Sequence, residues 1–298
     1  MPDISSLFGG STIVTGKGVK LEFVDYPKGE LTDKEQFRIM AKVSNFGNSP
    51  VDGVLCLSDT PGARNVGILS DPSAACADIH LDTAETLSEG KISAYQQGVG
   101  FPNGGNGYYY YDNIQKDITQ TSIISAHLKY AVDSKSAAQI CIKSMNANIK
   151  NIPVPCDNSQ TITDIIQPDF PIQVTKIEKE VSSISPTEAN VKLKIYISQK
   201  EEGQAIPRSS LFEQVSSFKP EVEFKPGFIG GSGEFICTPL INGKFELREN
   251  EKVINCRATV NIDQEYLYDS FVVELGYGFE KVISLPPIKL ISSQSNIA

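Results

Sequence analysis

The same order of sequence features occurs twice along this chain, and this repetition restricts the fold more than any other feature. Apolar and polar residues alternate at 37–43, and they do so again at 191–197, where lysines occupy polar positions. An apolar period of two is typical of a strand that buries one face. Each of these strands follows another alternating stretch, at 19–24 and at 172–177. The repetition therefore predicts two copies of one β unit.

The cysteines follow the same repetition, because Cys56 and Cys76 are separated by nearly as many residues as Cys237 and Cys256. Six cysteines can pair in many ways, but the repeated spacing favours pairing between sequence neighbours. The predicted disulfides are Cys56–Cys76, Cys141–Cys156 and Cys237–Cys256. Two alternatives stay open: a zinc site, although close cysteine pairs are lacking, and free buried thiols. Disulfides would indicate an oxidising compartment, or the cytosol of a hyperthermophile.

The segment pattern predicts an all-β protein. No stretch of helical length has a sustained 3.6-residue apolar period, and the best candidate, at 207–218, is short and rich in serine. Short alternating segments separated by Pro, Gly, Asn and Asp favour two tandem immunoglobulin-like β-sandwich domains, with a barrel as the alternative. Segments 128–135 and 275–281 share a Leu-x-Tyr pattern and each is expected to open a terminal β-hairpin.

The two predicted domains comprise residues 1–168 and 169–298. Pro168 and Pro171 mark the boundary because proline restricts the backbone and removes a hydrogen-bond donor. The first copy is longer than the second between its second cysteine and its last hairpin, so the first domain is expected to carry an insertion at about 85–118.

The insertion contains a run rich in Gly and Asn, followed by four consecutive tyrosines. Successive side chains of a strand point to opposite faces, so two rings would lie on each face. One pair must then lie outside the core, where tyrosine suits both protein interfaces and sugar stacking. The alternative is that a neighbouring loop covers the outer pair. The candidate interface or ligand residues are Tyr108, Tyr109, Tyr110, Tyr111, Asn103, Asn106 and Asp112.

The sequence contains none of the catalytic or cofactor motifs that we sought. It has no GxSxG, P-loop, dinucleotide fingerprint, HExxH or EF-hand loop. Its two histidines, His80 and His127, are expected to be structural or solvent-facing. We therefore predict a protein that is not an enzyme and has no cofactor or metal site. Two alternatives are a hydrolase with dispersed residues and irregular calcium binding by loop carboxylates.

Charge and the N-terminal sequence bear on partners and compartment. A net charge of −9 and a pI of about 4.9 argue against nucleic acid as a partner, since phosphate binding rests largely on Lys and Arg. Apolar runs are too short for membrane insertion. The first residues lack a basic segment followed by an apolar one, so no secretory signal is visible. We expect a protein of the extracellular space, the cell surface or a virion.

One run, FRIMAKVSNFGNSPVDGVLCLSD at 37–59, resembles the adhesion-type immunoglobulin-like (CARDB-like) domains of archaeal and bacterial surface proteins. The segments at 9–25 and 266–290 are similar to parts of archaeal surface proteins. The resemblance implies a structural subunit of an extracellular surface layer or filament. Its expected partners are protein subunits of the same or a neighbouring assembly, with glycans as an alternative. Two other functions are a virion capsid or decoration protein and a carbohydrate- or protein-binding adhesion module.

Overall fold

Strands make up nearly all of the regular structure in the part of the chain that the structure describes. The computed structural model describes residues 18–47, 49–59, 75–86, 92–103, 107–112, 114, 120–149, 156–212, 219–231 and 233–293. Helical segments within these residues are short, namely α1 (Met145–Ile149) and a 3-10 turn (Arg208–Ser210). The described residues include no helix that is long and apolar enough to cross a membrane. The predicted all-β class is confirmed.

The chain divides into two compact units, each with a dense set of internal contacts. The first unit holds the described residues of 18–131 together with 209–212 and 279–293, and the second holds those of 132–208 and 219–278. The sequence predicted two domains with a single boundary near residue 168, whereas each of the observed units combines separate parts of the chain. The long strands β10 (Ile124–Lys143) and β19 (Tyr266–Ser284) each pass from one unit into the other, so no single position along the sequence separates the two units.

The first unit is built from short antiparallel strands and one parallel pair. Its strands are β1 (Val19–Asp25), β2 (Glu30–Thr32), β3 (Ile39–Asn45), β4 (Val51–Asp59), β5 (Cys76–Leu81), β6 (Glu85–Thr86), β7 (Ile92–Ser93), β8 (Tyr95–Phe101), β9 (Gln120–Ser122), the first part of β10, the last part of β19, and β20 (Ile288–Ile291). Strand β3 lies between β1 and β8, and β4 lies between β5 and β10. Strand β20 pairs in parallel with β2 and antiparallel with β9.

The second unit contains the longest regular ladder. Its strands are the remainder of β10, then β11 (Ser159–Ile162), β12 (Ile172–Ser185), β13 (Glu188–Gln199), β14 (Gln204–Ile206), β15 (Glu221–Phe228), β16 (Ile236–Thr238), β17 (Lys244–Glu246), β18 (Glu251–Asn261) and most of β19. One sheet has the order β11–β12–β13–β18–β16, and β15 pairs with both β17 and β19.

The alternation that predicted the central strands is visible in their burial. In β3, Ile39, Ala41 and Val43 are buried and the residues between them point outward. In β13, Val191 and Leu193 are buried while the intervening Lys192 is exposed. Apolar residues on one face of each strand therefore supply the core, and the polar residues face solvent.

The predicted hairpins at 128–135 and 275–281 are wrong, because both segments lie within the uninterrupted strands β10 and β19. Around the first expected turn, Asp133 and Lys135 are exposed while Ser134 is buried, so the alternation continues through the polar residues. Asp and Ser favour turns locally, but the ladder on either side prevails over that preference.

All three predicted disulfides are formed, and the described chain has no free cysteine. Cys56 and Cys76 lie directly opposite each other on β4 and β5, with 4.1 Å between Cα atoms. Cys237 and Cys256 are opposite each other on β16 and β18, at 4.0 Å. The zinc and free-thiol alternatives therefore do not hold, and the two repeated pairs have the same cross-strand geometry.

Candidate functional site

The tyrosine run forms part of the first unit's framework. The segment at about 85–118 was expected to be an insertion, yet residues 95–101 within it form β8, which pairs with β3 along its whole length. The tyrosines then pair with the chain that precedes β3. Phe37 and Tyr109 exchange two backbone hydrogen bonds of 2.9 and 3.0 Å, and the Lys34 N–H donates to the Tyr111 carbonyl at 2.8 Å.

The four tyrosines alternate between two faces, as the sequence predicts. Tyr109 and Tyr111 are each 2% exposed, whereas Tyr108 is 52% exposed and Tyr110 is 44% exposed. Tyr111 stacks against Phe37 with 5.6 Å between ring centroids, and Tyr109 packs at 5.9 Å from the same ring. The buried pair therefore fixes the backbone that presents the exposed pair.

Arg38 holds the outer ring of Tyr108 in place. Its guanidinium carbon lies 4.3 Å from the centroid of the Tyr108 ring, which is a close cation–π contact. Its Nε donates to the Gly107 carbonyl at 3.0 Å. This contact restricts the freedom of the exposed Tyr108 ring.

Met40 extends this surface along β3. It is 45% exposed, and it lies opposite Gly100, where an added Cβ atom would meet nothing within 4 Å. We call the group Tyr108, Tyr110, Arg38 and Met40 the aromatic strip. It combines two rings, a thioether and a guanidinium beside bare glycine backbone, so a flat partner can approach closely.

Two of the other predicted contact residues have contacts elsewhere in the first unit. The Asn103 side-chain amide donates to the Cys76 carbonyl at 2.7 Å, which ties its loop to the first disulfide. Asp112 lies 3.9 Å from the Lys34 ammonium in an exposed ion pair. Asn106 lies outside the described residues.

A half-buried carboxyl group, Asp59, lies behind the tyrosine segment. The Tyr111 hydroxyl donates to Ser122 Oγ at 2.8 Å, and Ser122 Oγ donates to Asp59 Oδ2 at 3.4 Å. Asp59 Oδ1 is buried without a partner among the described residues. Burial raises the pKa of Asp59 to about 6 despite the Ser122 hydrogen bond, and burial also raises the pKa of Tyr111.

An Asp59→Asn variant is expected to be more stable than the parent near neutral pH. The folded pKa of about 6 exceeds the ordinary aspartate value of 3.8, so the parent loses stability as the pH rises through this interval. We expect a gain of about 1 kcal/mol at pH 8, reduced by solvent screening of a half-buried group, and a difference near zero at pH 4. Urea unfolding at both pH values measures this. An Asp78→Asn control, at an exposed position, should show no such pH-dependent gain, and an equal gain at both pH values would contradict the assignment.

His80 faces solvent, in agreement with expectation. Its Nδ1 lies 2.5 Å from Asp52 Oδ1, and Asp82 is 3.9 Å from Nε2. The hydrogen bond to Asp52 and the negative charges of both carboxylates raise the pKa of His80. The three side chains form an exposed cluster.

His127 connects a hydroxyl group with a buried carboxylate. Its Nε2 lies 2.9 Å from Ser58 Oγ and its Nδ1 lies 3.2 Å from Glu280 Oε1, and Glu280 is buried. Serine hydrolases use this order of hydroxyl, imidazole and carboxylate. Sequence reasoning missed the cluster because its members come from three distant strands and no local motif surrounds Ser58.

Acyl transfer also needs N–H donors aimed at the developing oxyanion. Ser58 lies within β4 opposite Ser125 of β10, and the register of β4 with β5 ends at Cys56. The neighbouring Leu57 N–H donates to the Ala75 carbonyl at 2.7 Å. A strand that is paired on both sides commits its N–H groups to its ladders. The Ser58 cluster forms a polar contact between three strands.

The described residues contain no group of three His, Cys, Asp or Glu side chains that could hold a metal ion. No family profile matches the sequence, and no curated protein matches it. Among solved structures, the chain has a weak likeness to the secreted serine protease VesC from Vibrio cholerae, with a TM-score of 0.19 and 11% identity over 95% of this chain and 54% of that chain. The chain thus spans about half the length of that protein, and a likeness of this size defines neither fold nor activity.

Proposed function

We propose that this chain is a non-enzymatic structural subunit of an extracellular surface layer or filament, in which two immunoglobulin-like sandwich units space the contact surfaces. The observation that carries the proposal is the aromatic strip, in which Tyr108 and Tyr110 are exposed on a segment whose other face is locked into the core. A virion capsid or decoration protein would use the same features.

The chemistry of the aromatic strip suits contact with a protein. Tyrosine, arginine and methionine are enriched at protein interfaces, and aromatic and arginine side chains supply many of the residues that dominate binding energy. The rings of Tyr108 and Tyr110 offer large contact areas, and the Arg38 contact limits the freedom of one of them before binding. The proposed binding partner of the aromatic strip is another subunit of the same or a neighbouring assembly.

The three disulfides support a location outside the reducing cytoplasm. One of them lies at the β4–β5 edge of the first unit, and the others lie in the second unit. Covalent links of this kind limit unfolding of a protein that works in an exposed environment.

A Tyr108→Ser/Tyr110→Ser variant is expected to weaken assembly at least about tenfold, because each exposed ring is a candidate anchor worth on the order of 1 kcal/mol or more. Sedimentation velocity over a concentration series, together with cross-linking to native neighbours, measures this. Tyr95→Ser is the matched control, since Tyr95 is also exposed but lies at the start of β8, away from the aromatic strip. Equal assembly of the parent and the double variant would contradict the proposal.

The aromatic strip also suits a sugar ring, which stacks on aromatic faces. The open backbone beside Met40 at Gly100 specifically favours this second candidate function, a carbohydrate-binding adhesion module. A glycan array screened with the parent and with the Tyr108→Ser/Tyr110→Ser variant separates the two functions. Glycan binding that the double substitution abolishes, with assembly unchanged, would replace the assembly proposal by the adhesion module.

The non-enzymatic part of the proposal has its own test at the Ser58 cluster. A fluorophosphonate probe reacts with serine hydroxyls that are activated by an adjacent base. We expect the folded protein to show no labelling above a Ser58→Ala control. Labelling that is lost in both Ser58→Ala and His127→Ala would instead identify a hydrolase.

A further inference from the structure

A groove of about 530 Å³ lies on the outward face of the second unit, across β12, β13, β18 and β16. It is separate from the aromatic strip and from the histidine clusters. The chain as a whole is acidic, yet cationic side chains from two neighbouring strands point into this groove. The residues that line it include Glu180, Lys192, Arg257, Asn255, Ile236 and Thr238.

Strand register places these side chains in two rows across the sheet. In the first row, Glu180 is opposite Lys192, Lys192 is opposite Arg257, and Arg257 is opposite Ile236. Asn255 and Thr238 are opposite each other in the second row, two residues along their strands. Side chains two residues apart on a strand share a face, so both rows line the same groove.

The pair Lys192 and Arg257 is unusual because like charges directly opposite each other destabilise a sheet. Both side chains are exposed, and neither forms an ion pair with any residue that the structure describes. By contrast, Lys194 in the second row lies 3.7 Å from Glu178. An anion placed between Lys192 and Arg257 would relieve their repulsion.

We propose that this groove binds an acidic saccharide. A carboxylate or sulfate of the sugar would lie between Lys192 and Arg257, whose Cβ atoms are about 5 Å apart in a directly opposed pair. Ring hydroxyls would donate to Glu180 and exchange hydrogen bonds with Asn255 and Thr238. Ile236, which is 60% exposed, offers an apolar surface for a C–H face of the ring. This site goes beyond the assembly function and does not depend on the aromatic strip.

The carboxylates of an acidic peptide would pair with the cations, but the backbone N–H and C=O groups of the peptide would lack hydrogen-bond partners over β13 and β18. Strands β13 and β18 are interior to the sheet, so their N–H and C=O groups are committed to ladders, and only the outer edge of β16 offers backbone groups. A peptide lying across β13 and β18 would find no backbone partner there, whereas a sugar presents hydroxyl groups around its ring. The mixture of cations, carboxylate, amide and hydroxyl therefore favours a saccharide.

Calorimetric titration with defined oligosaccharides tests the proposal. The probes are oligogalacturonate, a sulfated heparin-derived tetrasaccharide, methyl-esterified oligogalacturonate and a poly-glutamate peptide. We expect at least one anionic saccharide to bind, with the more tightly bound one identifying the preferred anion, and the neutral ester to bind at least tenfold more weakly. A higher salt concentration should weaken the binding of the anionic saccharides, because salt screens charge–charge attraction.

Variants locate the site. Lys192→Ala and Arg257→Ala are each expected to weaken binding about tenfold, and Arg257→Lys should retain part of the affinity because it keeps the charge. Lys225→Ala, at an exposed lysine on β15 of the same unit, should bind like the parent. The proposal is overturned by a parent that binds no anionic saccharide at millimolar concentration, by alanine variants that bind like the parent, or by a poly-glutamate peptide that binds more tightly than the saccharides.

Discussion

A Gly53→Ala variant is expected to lose about 3 kcal/mol of unfolding free energy, because β4 and β10 have no room for a methyl group at this position. A Cβ atom on Gly53 would lie 2.9 Å from Tyr130 Cβ and 3.0 Å from Tyr130 Cα, and it would overlap the Lys129 carbonyl oxygen. Two of these three atoms belong to the backbone of the opposing strand, so they cannot move without disturbing the ladder. Urea unfolding followed by circular dichroism measures the loss.

Gly98→Ala is the matched control for Gly53→Ala, since it places the same methyl group on another strand of the first unit. An added Cβ atom at Gly98 meets nothing within 4 Å. Alanine should therefore leave stability unchanged or raise it by up to about 1 kcal/mol, because it restricts the unfolded chain. Equal destabilisation by both substitutions would indicate that β-strand preference, rather than the close approach of β4 to β10, determines the effect.

The structural features that could be predicted from the sequence depend on short-range periodicity. The strands around 37–43 and 191–197 follow directly from alternating apolar residues. The pairing of Cys237 with Cys256 follows from a spacing that repeats in the other half. The two faces of the tyrosine run follow from strand geometry alone. These features were predictable because each is encoded within a few residues of the chain.

The remaining features depend on which strands become neighbours. Ser58, His127 and Glu280 meet because β4, β10 and β19 meet, and no local pattern specifies that order. The opposed cations Lys192 and Arg257 depend on register, and a slip of one residue would turn one of them inward. Two domains were predicted, but with one boundary near residue 168, whereas each unit draws on several separate parts of the chain, because segments expected to turn instead continue as long strands.

The disulfide between β16 and β18 should contribute to both stability and the acidic-saccharide groove. Strand β16 pairs with β18 over three residues, and Cys237–Cys256 supplements those few ladder bonds. Ile236 and Thr238 flank Cys237, so the same short strand supplies one wall of the groove. Loosening of β16 would therefore remove that wall without touching Lys192 or Arg257.

A Cys237→Ser/Cys256→Ser variant is expected to lose about 3 kcal/mol of unfolding free energy, since the bond spans 19 residues and restricts the unfolded chain. Cys56→Ser/Cys76→Ser, which opens a span of 20 residues, should cost a similar amount because loop entropy changes slowly with length. Urea unfolding under non-reducing conditions compares the two. If β16 forms the groove wall, the first variant should also lose saccharide affinity under conditions where both remain folded, while the second retains it. If both variants keep their saccharide affinity, the ladder alone holds β16 in place. If the Cys237→Ser/Cys256→Ser variant has the same unfolding midpoint as the parent, this disulfide does not stabilise the protein.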